Sequence, residues 1–164
     1  MIFITVGDMD PFDRMIKAID LWLAEHPTRE KVIAQIGAGI YQPKRCDFVP
    51  FLTPNEFQKT FEQARVVISH AGTGTIITAL VMSKPIVVFP KRASLGEQRN
   101  DHQLAVVRHF QRSKSIVFAE TEVELSRVLD RVFNPDGNEN FAVNDVASWP
   151  VDESLIQFVE GFVS

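Results

Sequence analysis

Three short segments carry most of the residues able to grip a polar ligand. The first is His70-Ala71-Gly72-Thr73-Gly74-Thr75, which follows an apolar run at 65–69 and opens another apolar stretch. Two glycines in such a turn let a ligand approach the backbone, and the free N–H groups of a helix start favour an anion. Thr73 and Thr75 add hydroxyl donors. A phosphate or pyrophosphate is the natural ligand; a tight strand-to-helix turn with threonine caps and no ligand is the alternative. His70 is placed either to meet a phosphate or sugar, or to be a satisfied structural histidine.

The second segment, Gly96-Glu97-Gln98-Arg99-Asn100-Asp101-His102-Gln103, is the densest polar cluster in the chain. Its carboxylates, amides and imidazole suit sugar and ribose hydroxyls, and Gln98 and Gln103 each offer donors and acceptors. It reads equally as a solvated loop and helix cap. A metal held by Glu97, Asp101 and His102 would need a matched ligand pair that no other segment supplies. Lys91, Arg92 and Arg99 bring positive charge either to a diphosphate or sugar carboxylate, or to a solvated rim. The third segment is Gly7-Asp8-Met9. No Gly-Lys-Ser/Thr occurs anywhere, which disfavours ATP or GTP hydrolysis. The dinucleotide fingerprint needs three spaced glycines after the first strand, where Gly7 stands alone, and Gly72-Thr73-Gly74 runs on to Ile77. NAD binding is therefore disfavoured too.

What must position these segments is an alternation of strands and helices. Apolar, β-rich runs occur at 2–6, 32–36, 47–51, 65–69, 85–89 and 115–118. Between them, Phe12, Met15, Ile16, Ile19 and Leu23 keep helical spacing to about residue 25, with Asp10 as the expected N-cap and Pro11 at the first helical position. Thr53-Pro54-Asn55-Glu56 and Thr121-Glu122-Val123-Glu124 are capping boxes opening two more helices. The stretch 73–83 is apolar on nearly every side, which predicts a helix buried on most faces. A helix is expected at 100–110. The pattern predicts an α/β fold, a doubly wound parallel sheet of Rossmann-like type, with ligands outside the carboxyl ends of its strands.

The whole chain has 164 residues, enough for one domain. Asn134-Pro135-Asp136-Gly137-Asn138 separates a domain at 1–133 from a tail at 134–164, where Leu155, Ile156, Phe158, Val159, Phe162 and Val163 have the spacing of a short amphipathic helix. That helix is expected to pack on its own domain or on a partner. A net charge of −4 argues against nucleic acid as a partner. One cysteine, Cys46, excludes a disulfide framework and suits a reducing, cytoplasmic setting. Residues 1–6 lack the basic region of a signal peptide, and no apolar run reaches membrane-spanning length.

Ile4-Thr5-Val6-Gly7 before Pro11-Phe12-Asp13, Ser69 with the 70–75 turn, and Arg99-Asn100-Asp101-His102-Gln103 resemble the small subunit of two-component bacterial exopolysaccharide glycosyltransferases, the PssE-like group. That group is similar to the catalytic subunit of the eukaryotic dolichol-linked N-acetylglucosamine transferase. It is also similar to the C-terminal half of the peptidoglycan transferase MurG, hence to the glycosyltransferase family 28 C-terminal domain. The combination of Ser-His-Ala-Gly with a downstream Asn-Asp-His-Gln makes the resemblance specific. It implies one GT-B half-enzyme, the donor-binding catalytic subunit of a heteromer, moving a hexosyl group from a UDP-sugar to a lipid-linked saccharide without a metal or other cofactor.

Residue by residue, the resemblance implies that Gly72, Thr73, Gly74 and Thr75 hold the diphosphate, with His70 and Ala71 beside it. Gln98, His102 and Gln103 would face the sugar, with Glu97, Arg99 and Asn100 in the same wall. Phe51 and Leu52 would meet the uracil through their backbone, and Gly7 and Asp8 would line the cleft. His70 and His102 are candidates for donor activation, while the catalytic base is expected on a membrane-anchored partner that also binds the acceptor. The chain would then sit at the inner face of the cytoplasmic membrane through that partner, and a homo-oligomer stays open. Two departures stand out. Asp8 replaces the threonine usual in the first loop, and Thr78 stands where relatives carry a ribose-binding acid; either Glu97 takes over that role or the nucleotide binds more weakly. The other class of reading is a non-catalytic nucleotide-sugar-binding or assembly subunit.

Overall fold

The computed structural model describes residues 1–7, 10–110 and 116–133. Six parallel strands, β1 (Ile2–Thr5), β2 (Val32–Gln35), β3 (Asp47–Val49), β4 (Val66–His70), β5 (Ile86–Phe89) and β6 (Ile116–Phe118), form one sheet in the order β3-β2-β1-β4-β5-β6. The helices are α1 (Asp13–Glu25), α2 (Pro54–Gln63), α3 (Thr73–Val81), α4 (His102–Phe110) and α5 (Glu122–Phe133), with a single 3-10 turn at Ala93–Leu95. The strands β1, β4 and β5 are buried along almost their whole length, which is why they read as unbroken apolar runs rather than alternating ones.

Two cores flank the sheet. On one face Ile4, Val6, Ile68 and Phe89 pack against Met15, Ile16, Ile19 and Trp22 of α1 and Leu125, Val128 and Leu129 of α5. On the other, Phe3, Val67 and Val88 meet Phe61 of α2, Ile76 and Ala79 of α3, and Val106 and Val107 of α4. The expected doubly wound fold is thus the observed one. Thr53 and Glu56 complete a reciprocal capping box on α2, and Thr121 accepts from the Glu124 N–H at the start of α5.

Two local expectations need correction. The first helix begins at Asp13, not after an Asp10 cap: Phe12 is neither helical nor extended (φ −143°, ψ 55°) and makes no side-chain cap. Phe12 is buried and stacks on Phe89 with ring centroids 5.7 Å apart, and satisfying that contact pulls its backbone out of the helix. Nor is α3 enclosed on most faces. Ile76 and Ala79 are buried, but Val81 is 75% exposed, because no layer of described residues covers the outer side of the helix. The tail at 134–164, with its predicted helix, lies outside the described residues.

The loop between β2 and β3 replaces a crossover helix and is pinned to α1 by two carboxylates. Asp13 accepts from the N–H groups of Ile40 and Tyr41. Asp20, buried, accepts from Lys44 N–H at 2.9 Å, Arg45 N–H at 2.8 Å and the Tyr41 hydroxyl at 2.7 Å. The bond to Asp20 favours the protonated phenol and, with burial, pushes Tyr41 up to about 12. A group whose pKa is raised on folding adds stability below its unfolded pKa of about 10, and that contribution fades as pH rises toward the folded value. Tyr41 is the chain's single tyrosine, so tyrosinate absorbance reads it alone. The folded protein should titrate near pH 12 and the urea-unfolded chain near 10, and Asp20→Ala should lower the first value and cost about 3 kcal/mol of stability.

Candidate functional site

The winding of the sheet reverses between β1 and β4, leaving a crevice at their carboxyl ends. Gly7 follows β1 there with φ +80°, a left-handed conformation that glycine adopts without strain. Its N–H donates to the Thr5 hydroxyl at 3.2 Å, and that hydroxyl is 3.4 Å from the Gln35 side-chain oxygen at the end of β2. His70 closes β4, and Gly72 is the N-cap of α3 with no side chain capping the helix. The first-turn amides of α3 therefore face the crevice without a competing side-chain oxygen. Gly7, Gln35, Leu52, Pro54, Phe57, His70, Gly72, Gly74, Thr75 and Thr78 line a cavity of about 470 Å³. That volume lies within the ordinary span of small-molecule sites.

The glycines of this turn differ in purpose. A Cβ on Gly72 would collide with the Nε2 edge of the His70 imidazole, and one on Gly7 would lie 2.8 Å from Cε1 of the same ring. The imidazole is thus sandwiched between the loops that follow β1 and β4, and both glycines exist to admit it. Around Gly74, by contrast, no atom lies within 4 Å of an added Cβ, so its smallness serves open space. Sequence reasoning assigned both Gly72 and Gly74 to ligand approach; packing gives Gly72 a second duty.

Of the residues expected at the site, Gly7, Leu52, His70, Gly72, Gly74 and Thr75 come together in this cavity. Ala71 lies buried behind it, Thr73 is the first residue of α3, and Phe51 is 55% exposed outside the lining. Asp8 lies outside the described residues. The 96–103 cluster forms a separate wall beside β5. Gln103, 8% exposed, accepts through its carbonyl oxygen from both the Ala71 and Lys91 N–H groups, tying the ends of β4 and β5 together. Asn100 accepts from the His102 N–H, and Arg99 and His102 are exposed. Glu97 makes no part of the cavity lining: both its oxygens bond Arg14, and one also accepts from Arg92 N–H. Lys91 is buried with its ammonium on the Asp10 carbonyl, and Arg92 donates to the Glu120 carbonyl, so neither forms a solvated rim.

Gln35, Pro54, Phe57 and Thr78 were missed as lining residues. A glutamine ending an otherwise apolar strand was the available signal for Gln35. Thr78 was noticed as a departure, but its hydroxyl donates back to the Gly74 carbonyl at 2.8 Å. Burial and the Asp20 and Asp47 carboxylates push the Cys46 thiol up to about 11, which leaves little thiolate for nucleophilic chemistry at neutral pH. Among the described lining residues His70 is the one with an ionisable side chain.

The sandwich predicts a double-mutant cycle. Gly72 has φ −79° and ψ 126°, which alanine adopts freely, so Gly72→Ala acts only through the ring. It should cost about 1–3 kcal/mol in native His70 protein and under about 0.5 kcal/mol in a His70→Ala background, measured by urea unfolding.

Comparison with known proteins agrees with the fold. Two curated relatives, each named UDP-N-acetylglucosamine transferase subunit ALG13, align at low identity. The Candida albicans protein is 25% identical over 104 residues, 63% of this chain and 33% of its own length. The human protein is 26% identical over 131 residues, 74% of this chain and 11% of its own. The chain thus spans a third or less of the length of these relatives. Among solved structures, MurG of Acinetobacter baumannii superposes with a TM-score of 0.62 at 14% identity, covering 96% of this chain and 48% of that one, which shows the GT-B type of Rossmann-like fold. The model of the glycosyltransferase family 28 C-terminal domain matches residues 1–147, from the first strand past the end of α5, and the chain belongs to that family.

Proposed function

We propose that the chain is the donor-binding half of a GT-B glycosyltransferase, taking a UDP-sugar at the β1–β4 crevice. The observation that supports this most is the uncapped N-terminus of α3 opening onto a cavity at the sheet's reversal point. Its amides would receive the diphosphate, and they would gain strength as negative charge grows on the departing UDP. Leu52, Pro54 and Phe57 form the apolar end of the same cavity, suited to a uracil ring, while Gln35 offers an amide. The 98–103 wall, held against β4 by Gln103, would meet the sugar.

No second ionisable group faces His70 across the described lining. We assign the base that deprotonates the acceptor to a partner subunit, which would also carry the membrane anchor and bind a lipid-linked saccharide. Among the described residues no helix is long and apolar enough to cross a membrane. Transfer in polysaccharide biosynthesis at the cytoplasmic membrane face, with no metal or other cofactor, completes the reading.

Gly74 supplies a test in which fold and function move in opposite directions. An aspartate at this position has room and sits in the first turn of α3, where a carboxylate stabilises the helix by about 0.3–1 kcal/mol. The same charge repels a diphosphate. Gly74→Asp should keep or raise the melting temperature, weaken UDP binding at least tenfold by calorimetry, and abolish transfer by the complex with its partner. Unchanged UDP affinity would sink the proposed anion site. Lost UDP binding with full transfer would favour the assembly-subunit reading.

A further inference from the structure

Arg14 breaks a local rule. It is the second residue of α1, where the helix dipole disfavours a cation. Its guanidinium nevertheless makes two bonds to Glu97, Nε to Oε1 at 2.6 Å and Nη2 to Oε2 at 3.0 Å, across 83 residues of sequence. The pair is largely shielded from solvent, with side chains 15% and 11% exposed. Nη2 also donates to the Pro90 carbonyl at 2.9 Å. The guanidinium lies 4.3 Å from the centroid of the Phe89 ring and 5.3 Å from that of Phe12. A planar, delocalised cation is the group that can stack and bond bidentately at once.

Glu97 is in turn the hub of the loop after β5. Its Oε2 accepts from Arg92 N–H, its own N–H donates to the Arg92 carbonyl, and Gly96 beside it takes φ +69°. Asp101 accepts from Ala93 N–H, and Gln98 donates to the Lys91 carbonyl. One end of this loop is fastened by Gln103 to the Ala71 amide at the crevice. Arg14 fastens the middle, from an element on the opposite face of the sheet. Glu122, 3.7 Å from Nη1 and half exposed, adds little to the arrangement.

We propose that Arg14 is a positioning residue for donor recognition. Through Glu97 it clamps the 91–103 loop so that Gln98 and His102 are presented to the sugar half of a nucleotide-sugar, while the uridine diphosphate half is held by α3 independently. This rests on the donor-binding reading above. It differs from the expectation that Glu97 itself holds the ribose, which would make Glu97 essential for UDP.

The test uses the full chain, with UDP, UDP-N-acetylglucosamine, UDP-glucose and UDP-glucuronate as probes. Two readouts are taken: calorimetric affinity, and hydrogen exchange of the 92–97 amides. In Arg14→Gln and in Glu97→Gln the loop amides should exchange at least tenfold faster while those of β1, β4 and β5 keep their protection. UDP affinity should stay within twofold, and the gain of the preferred UDP-sugar over UDP should fall at least fivefold. Arg14→Lys should fail to rescue, because an ammonium cannot span both carboxylate oxygens, and Glu122→Gln should behave as wild type. The double variant Arg14→Gln/Glu97→Gln removes the unpaired charge and should show the same two effects in a stably folded chain. Unchanged loop exchange overturns the clamp, and so does full rescue by lysine. A parallel loss of UDP and UDP-sugar affinity, or a wild type that favours no UDP-sugar over UDP, overturns its role in sugar recognition. A wild type that binds no uridine nucleotide, with loop exchange still responding to Arg14, instead brings down the donor-binding reading on which that role depends.

Discussion

The sheet changes its direction of winding once, between β1 and β4, and the rest of the molecule follows from that reversal. Chains leaving β1 and β4 depart toward opposite faces, so no connection covers the gap between their carboxyl ends. A crevice results with two loop-borne walls, and its floor is the top of the buried strands β1 and β4. Here the floor is sealed by one imidazole. His70 fills the space between Gly7 and Gly72, which fixes the mutual distance of the walls and leaves the amides of α3 facing outward.

Polar side chains around the crevice are spent largely on the backbone. Gln103 uses its carbonyl oxygen on the amides of Ala71 and Lys91. Thr5 serves the amide of Gly7, Asp101 that of Ala93 and Glu97 that of Arg92. Loops that must leave regular strands cannot bury unpaired N–H groups, and these side chains satisfy them in place of a neighbouring strand. The consequence is preorganisation: the wall beside β5 is shaped by internal bonds before any ligand arrives.

The order of strands and helices was legible because buried parallel strands and capped amphipathic helices leave strong, short-range marks. Thr53 and Thr121 cap where their sequence context says they should. The start of α1 was not legible, since Asp10 and Pro11 offer good local signals and lose to a tertiary contact, the stacking of Phe12 on Phe89. The apolar character of α3 was misleading for a related reason. Composition says that a surface avoids water, not which body covers it, and Val81 is left open by the described residues. At the candidate site, the 70–75 turn was recognisable as a glycine-rich passage from strand to helix by its local sequence alone. The partnership of Arg14 with Glu97 was invisible, because nothing nearby in sequence encodes a bond across 83 residues. Gln35 was overlooked because it sits inside a run that reads as core.

The shallow seating of α3 has an energetic meaning. Two fully buried side chains, Ile76 and Ala79, hold this short helix on the sheet, with Leu80 and Met82 only partly covered. Elements with little buried apolar surface open at a free energy well below that of global unfolding. An anion bound at the first turn of such a helix is held only while the helix stays docked, so the apparent affinity is the intrinsic one scaled by the docked fraction. Any surface that covers Val81 and the outer side of α3 would raise that fraction and so tighten an anion bound at the first turn without touching it. Anion binding in the crevice and burial of the helix's far side would then be thermodynamically linked, each favouring the other by the same factor.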